Sequence, residues 1–210
     1  MSRLPPCLPR TAVAPLRSAA SAAALTVAAA LALAACEGGP IGQSTPASNG
    51  QSFVSGSSGA TVFAAGQGPA TPRVTGSVVG GGTLSLSQFR GHVVVMNFWG
   101  SWCTPCRAEA PVLASLARQF HAEGVRFLGV DVRDTPAAAE AFARDFGVGY
   151  PSLNDPASEV ALAFRGTVAP AGIPTTLVIG SDGRISARVI GQVSYSGLKA
   201  LITRAVAQRS

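Results

Sequence analysis

From Arg73 to Ser210 the apolar residues fall into short, regular patterns, whereas upstream of Arg73 they do not. Val74–Val79 and Thr83–Leu86 flank Gly80-Gly81-Gly82, which predicts a β-hairpin. Ser87–Gly91 reads as a turn. The run His92-Val93-Val94-Val95-Met96-Asn97-Phe98 is apolar almost throughout and predicts a central strand buried on both faces. A helix follows from about Pro105 to Ala122, with Val112, Leu113, Leu116, Ala117 and Phe120 on one face and Pro111 expected to kink it. Val125–Val132 is a second buried strand, and Thr135-Pro136 opens a helix that ends at Gly147. Tyr150-Pro151 enters an edge strand, and Asp155-Pro156 opens a short helix ending near Phe164. Thr175–Ile179 and Arg184–Ile190 are strands joined by the turn Ser181-Asp182-Gly183. Ser194 or Ser196 caps a last helix that aligns Leu198, Leu201, Ile202, Ala205 and Val206. The order β-β-β-α-β-α-α-β-β-α implies an α/β fold, a sheet covered by helices, without internal repeats.

The first 72 residues read differently. Arg3, Arg10 and Arg17 precede an uncharged stretch rich in alanine, leucine and valine from Ala19 to Ala35, the layout of an export signal. It is short for a permanent membrane span, and alanine contributes little to insertion. The stretch ends Leu33-Ala34-Ala35-Cys36, which resembles a bacterial lipobox. In proteins with that motif the chain is cut before the cysteine and the cysteine is lipidated. Residues 1–35 are therefore expected to be a lipoprotein signal peptide, with Cys36 the anchor. Gly38–Pro72 carries no charge and shows no sustained period, so 36–72 is expected to be a flexible linker with a reach of roughly 30 Å. That leaves 73–210 as one domain.

The chain has 210 residues, 12% of them charged, and a formal net charge of +6. The three signal arginines supply half of that excess, and no basic cluster remains in the domain, which argues against nucleic-acid binding.

The chemistry rests on cysteine. Cys7 falls within the signal and Cys36 at the lipobox, so the domain holds only Cys103 and Cys106. Zinc would need further ligands, and His92 and His121 are isolated. An inert disulfide across two residues would close too small a loop to constrain the unfolded chain much. Redox chemistry explains the context better. Cys103 stands where a strand gives way to a helix, whose unsatisfied amides and dipole stabilise a thiolate. Pro105 suits the first helical turn, and Cys106 lies within disulfide reach of Cys103. No cofactor beyond that redox-active pair is implied, and no metal.

The segment Asn97-Phe98-Trp99-Gly100-Ser101-Trp102-Cys103-Thr104-Pro105-Cys106-Arg107-Ala108-Glu109-Ala110-Pro111 resembles the active-site segment of TlpA-like and ResA-like thioredoxin-fold proteins, membrane-anchored bacterial thiol–disulfide oxidoreductases. Gly172-Ile173-Pro174-Thr175-Thr176 resembles their second motif, whose proline is cis and faces the cysteines. The resemblance implies a thioredoxin-like fold with a central mixed β-sheet flanked by helices and an added N-terminal hairpin. It implies Cys103 as the attacking thiol, exposed, and Cys106 as the resolving one. It also implies Glu109 as a half-buried proton acceptor, since Asn97 stands where cytosolic thioredoxins have a buried aspartate. Trp102, Thr104, Pro105, Ile173 and Pro174 would then touch substrate, while Trp99 belongs to the core. Arg107 is either a source of positive potential or a solvated charge.

The implied partners are protein disulfides, apocytochrome c among them, and a membrane thiol electron donor, with the protein a monomer held to the membrane by lipid on the extracytoplasmic side. Thr104-Pro105 resembles the dipeptides of reducing members. Two alternatives share the fold. Peroxiredoxin-like enzymes have threonine three and proline seven residues before the reactive cysteine, where this chain has Gly100 and Met96. Copper-delivery proteins have CxxxC and a distant histidine, which this chain does not.

Overall fold

The computed structural model describes residues 51–53, 59–167 and 172–209. In chain order the elements are β1 (Gln51–Phe53), β2 (Gly59–Phe63), β3 (Thr75–Ser77), β4 (Thr83–Ser85), a 3-10 turn at Leu86–Phe89, β5 (Val94–Trp99), α1 (Thr104–Phe120) and β6 (Arg126–Val132). These are followed by α2 (Pro136–Asp145), β7 (Ser152–Asp155), α3 (Glu159–Ala163), β8 (Thr175–Ile179), β9 (Ile185–Ile190) and α4 (Tyr195–Ala207). The main sheet runs β1-β2-β9-β8-β5-β6-β7. Strands β5, β6 and β7 are parallel, whereas β8, β9, β2 and β1 are joined antiparallel. The result is a mixed sheet with helices on both faces, as expected. Among the described residues no helix is long and apolar enough to cross a membrane.

The central strand shows why its sequence is apolar at every step. Val93 and Val95 face a core formed with Leu113, Leu116 and Phe120 of α1 and Leu198, Ile202 and Ala205 of α4. Val94, Met96 and Phe98 face the opposite core, with Leu128, Val130, Leu177, Ile185 and Phe164. A strand covered on both sides cannot alternate with polar residues. Helix α1 continues unbroken past Pro111. The hairpin β3–β4 turns through Gly80, Gly81 and Gly82, whose φ values of 86°, 112° and 87° suit glycine. It docks on β7, with the Val79 N–H donating to the Ser152 carbonyl at 2.9 Å.

Two expectations need correction. Residues 36–72 are not linker throughout: β2 pairs with β9, and Val62 and Thr61 are buried in the sheet. Gly68 passes so close to β9 that a Cβ there would lie 1.8 Å from the Ile185 carbonyl oxygen. The folded unit therefore starts upstream of Arg73. The segment misleads because backbone pairing holds it, with Val62 buried in the core and Phe63 packed at its margin, so its composition stays that of a linker. The strand beyond Tyr150-Pro151 is β7, which pairs parallel to β6 at the edge of the sheet, as expected. The second correction is that the short helix opens at Glu159, and Asp155 acts on it from a distance, its carboxylate oxygens accepting the N–H groups of Val160 and Ala161 at 3.1 and 2.9 Å. The signal segment and Cys36 lie outside the described residues.

Candidate active site

The two cysteines are brought together by the β5–α1 junction. Cys103 is the N-cap of α1, and its Sγ accepts the Cys106 N–H at 3.3 Å. Thr104 and Pro105 occupy the exposed first turn. Cys103 and Cys106 form a disulfide, with an S–S distance of 2.07 Å. Both are largely covered, Cys103 5% exposed and Cys106 1%. The expected contrast between an open and a shielded cysteine is thus slight in this disulfide form, because both belong to a cluster with Trp99, Ala110, Ala139 and Phe142, against which Ile173 packs. Trp102 itself is 51% exposed and stands at the rim, whereas Trp99 is buried and stacks on Phe142 with ring centres 4.2 Å apart.

Sheet register explains how the second motif reaches the first. Thr175 lies opposite Phe98 across β8 and β5, which leaves Pro174 and Ile173 beside the end of β5 from which the Cys103 loop departs. Ile173 packs on the cluster that holds both cysteines. The Ile173–Pro174 bond is cis, and the Pro174 carbonyl accepts the Gly191 N–H at 2.8 Å.

Glu109 is one helical turn beyond Cys106 and on the same face. It is fully buried rather than half-buried, with 0% exposure. Asn97 Nδ2 donates to its Oε1 and the Val193 N–H to its Oε2, both at 2.8 Å. Asn97 also donates to Thr176 Oγ1 at 3.0 Å, so its amide is held from two sides. Burial disfavours the Glu109 carboxylate and raises its pKa to about 7; the two hydrogen bonds offset part of that.

The loop after β6 belongs to the site as well, and sequence reasoning missed it. Asp134 Oδ2 accepts the Ser101 N–H at 2.7 Å and its Oδ1 the Thr135 N–H at 2.9 Å. Trp102 Nε1 donates to the Val132 carbonyl at 3.3 Å. The Arg133 guanidinium lies 5.2 Å from the centre of the Trp102 ring, with Arg133 in the left-handed region at φ 54°. Arg107 lies 5.1 Å from the Phe146 ring centre and donates to the Ser101 carbonyl at 3.4 Å. Beneath this loop Asp131 is 0% exposed and neither of its carboxylate oxygens has a hydrogen-bond partner. Burial, and then the negative charge of Asp134, push its pKa to about 8. The available signal was position: Asp131 lies at the carboxyl end of a parallel strand and Asp134 just beyond it, where open α/β sheets place their sites.

The model of the AhpC/TSA family matches residues 68–188, more than half of the sequence. The chain belongs to that family. Among its relatives is "Thiol-disulfide oxidoreductase ResA" of Bacillus subtilis, 34% identical over 116 residues, which are 55% of this chain and 63% of that protein. Another is "Thiol:disulfide interchange protein HelX" of Rhodobacter capsulatus, 36% identical over 105 residues, 50% of this chain and 55% of that protein. The chain thus spans less than two thirds of the length of these two relatives. Among solved structures, a DsbF homologue from Corynebacterium diphtheriae superposes with a TM-score of 0.65 at 28% identity, covering 69% of this chain and 92% of the other. A secreted thiol-disulfide isomerase from Corynebacterium glutamicum gives 0.63 at 28% identity, covering 81% and 99%. The expected thioredoxin-like fold is shown by these likenesses.

Proposed function

We propose that this AhpC/TSA-family protein is an extracytoplasmic thiol–disulfide oxidoreductase that reduces protein disulfides. The observation that carries the reading is the Cys103–Cys106 disulfide at the N-terminus of α1, with a buried carboxyl group, Glu109, one turn below it. The names of its ResA and HelX relatives and of the secreted isomerase support both the activity and the compartment.

In the reduced protein the Cys103 thiolate, stabilised by the helix N-terminus, attacks one sulfur of a substrate disulfide. A Cys103–substrate disulfide forms and the other substrate sulfur leaves as a thiolate. The Cys106 thiol then gives its proton to Glu109, and its sulfur attacks Cys103. The Cys103–Cys106 bond forms, the second substrate sulfur leaves, and two electrons have passed to the substrate. A carboxyl group with a pKa near neutrality is matched to that proton transfer. Trp102, Thr104, Pro105, Ile173 and Pro174 form the surface against which the substrate lies. A membrane thiol donor restores the reduced pair, Cys36 carries the lipid anchor, and apocytochrome c is among the substrates.

The test is trapping together with a potential. Cys106→Ala should accumulate mixed disulfides with substrate proteins and Cys103→Ala should not; equal trapping by both would reverse the assignment. A reduction potential near thioredoxin's, about −270 mV, fits a reductase, and one near −120 mV would make the protein an oxidant. Peroxide consumption faster than disulfide reduction would replace the reading with thiol peroxidase chemistry.

A further inference from the structure

Three segments that border the disulfide are residues 99–109, 131–135 and 172–175, and their solvent-exposed charges have one sign; α2, which packs on the cysteines through Ala139 and Phe142, carries exposed charges of both signs, Glu140, Arg144 and Asp145. Glu109 and Asp131 are fully buried, and the half-buried Asp134 is engaged by two backbone N–H groups. The exposed charges of the three segments are Arg107 and Arg133. Both touch the Ser101-Trp102-Cys103 loop, Arg107 through the Ser101 carbonyl while it lies against Phe146, and Arg133 over the Trp102 ring. Neither forms an ion pair: among the described residues the salt bridge found is Arg144 with Glu140, on α2. Stacking on an aromatic face fixes the guanidinium plane and leaves its N–H edges free to meet a carboxylate, which arginine recognises in a two-pronged manner.

We infer that Arg107, Arg133 and Trp102 form a docking surface that selects polypeptide disulfides flanked by aspartate or glutamate. The inference rests on the oxidoreductase reading and adds its substrate class. The exposed Trp102 ring supplies apolar contact for the backbone next to the substrate cystine, and the two guanidiniums meet carboxylates on either side of it. Charges of this kind at a rim act mainly on encounter, so the preference falls within kcat/KM and weakens with salt.

The experiment uses three synthetic peptides with one intramolecular disulfide, identical except that the residues flanking the cysteines are glutamate, glutamine or lysine. Their reduction by the reduced protein is followed at low and high ionic strength. For wild type at low salt the glutamate peptide should exceed the glutamine peptide in kcat/KM by about fivefold to tenfold and the lysine peptide should fall below it. High salt should compress the series. In Arg133→Gln, and further in Arg107→Gln/Arg133→Gln, the glutamate-to-glutamine ratio should fall toward one, while Arg133→Lys should keep most of it. A merely structural role for Arg133 would lower all three rates together and leave the ratio unchanged. A flat series in wild type, a preference for lysine, or a ratio indifferent to salt and to the double substitution would overturn the inference and leave the oxidoreductase reading standing. Failure to reduce any of the peptides would overturn both.

Discussion

Replacing Asp131 with asparagine should stabilise the protein, and by more as the pH rises. The carboxyl group is fully buried between Trp99 on β5 and Asn154 on β7, without a partner for either oxygen, and its pKa rises from an ordinary 3.8 to about 8. Between those two values the native protein holds a proton that the unfolded chain has released. The native state then binds more protons than the unfolded state, so stability falls as pH rises across that window. The span is about four pH units, and at ~1.4 kcal/mol per unit the full effect is of order 5 kcal/mol. Relaxation around the ionised group takes up part of it, so a slope of about 1 kcal/mol per pH unit is expected between pH 5 and 8. Asparagine has nearly the same shape, carries no charge, and faces the unpartnered Oδ1 of Asn154 across β6–β7. Glu109 contributes a slope of the same sign between about 4.5 and 7, but it is present in both proteins and cancels in the difference. The assay is urea unfolding of the oxidised wild type and Asp131→Asn at pH 4 to 9. The two stabilities should converge near pH 4 and separate up to about pH 8. A difference that stays constant with pH would show that Asp131 is not protonated in the fold, and the reasoning would fail.

Glu109→Gln should slow turnover above neutral pH while Cys103 still attacks, seen as mixed-disulfide accumulation in rapid-quench experiments; an unchanged pH–rate profile would remove Glu109 from the second step. Gly68→Ala should cost about 3 kcal/mol or more of stability in urea unfolding, because its Cβ has no room beside the Ile185 carbonyl. A wild-type midpoint in that variant would mean that the segment before Arg73 is not part of the cooperative unit. Cys36→Ala should move the protein from the membrane to the soluble fraction, and retention at the membrane with normal processing would rule out the lipid anchor.

Much of this protein is local, and the sequence alone determined it. The apolar run before Cys103, the spacing of Leu113, Leu116 and Phe120, and the proline in the first turn of α1 are consequences of one chain segment meeting one core, so periodicity reports them directly. The CxxC at a strand–helix junction is legible for the same reason, since the disulfide and the helix N-terminus act within a few residues. Tertiary structure decided the rest, where the partner is remote. Strand β2 is held by backbone pairing to β9, more than a hundred residues away, and backbone hydrogen bonds leave no mark on side-chain composition. Glu109 is completely buried only because Val193, 84 residues on, and Asn97 close over it; helix position alone allowed a half-exposed carboxylate. In the sequence Asp131 is one polar position in an apolar strand and Asp134 an ordinary loop acid. The parallel pairing of β5, β6 and β7 seals one of them from water and sets the other against the Ser101 N–H beside the cysteines. Burial is a property of what packs from elsewhere, and it is burial that turns Glu109 and Asp131 from solvated charges into proton-holding groups.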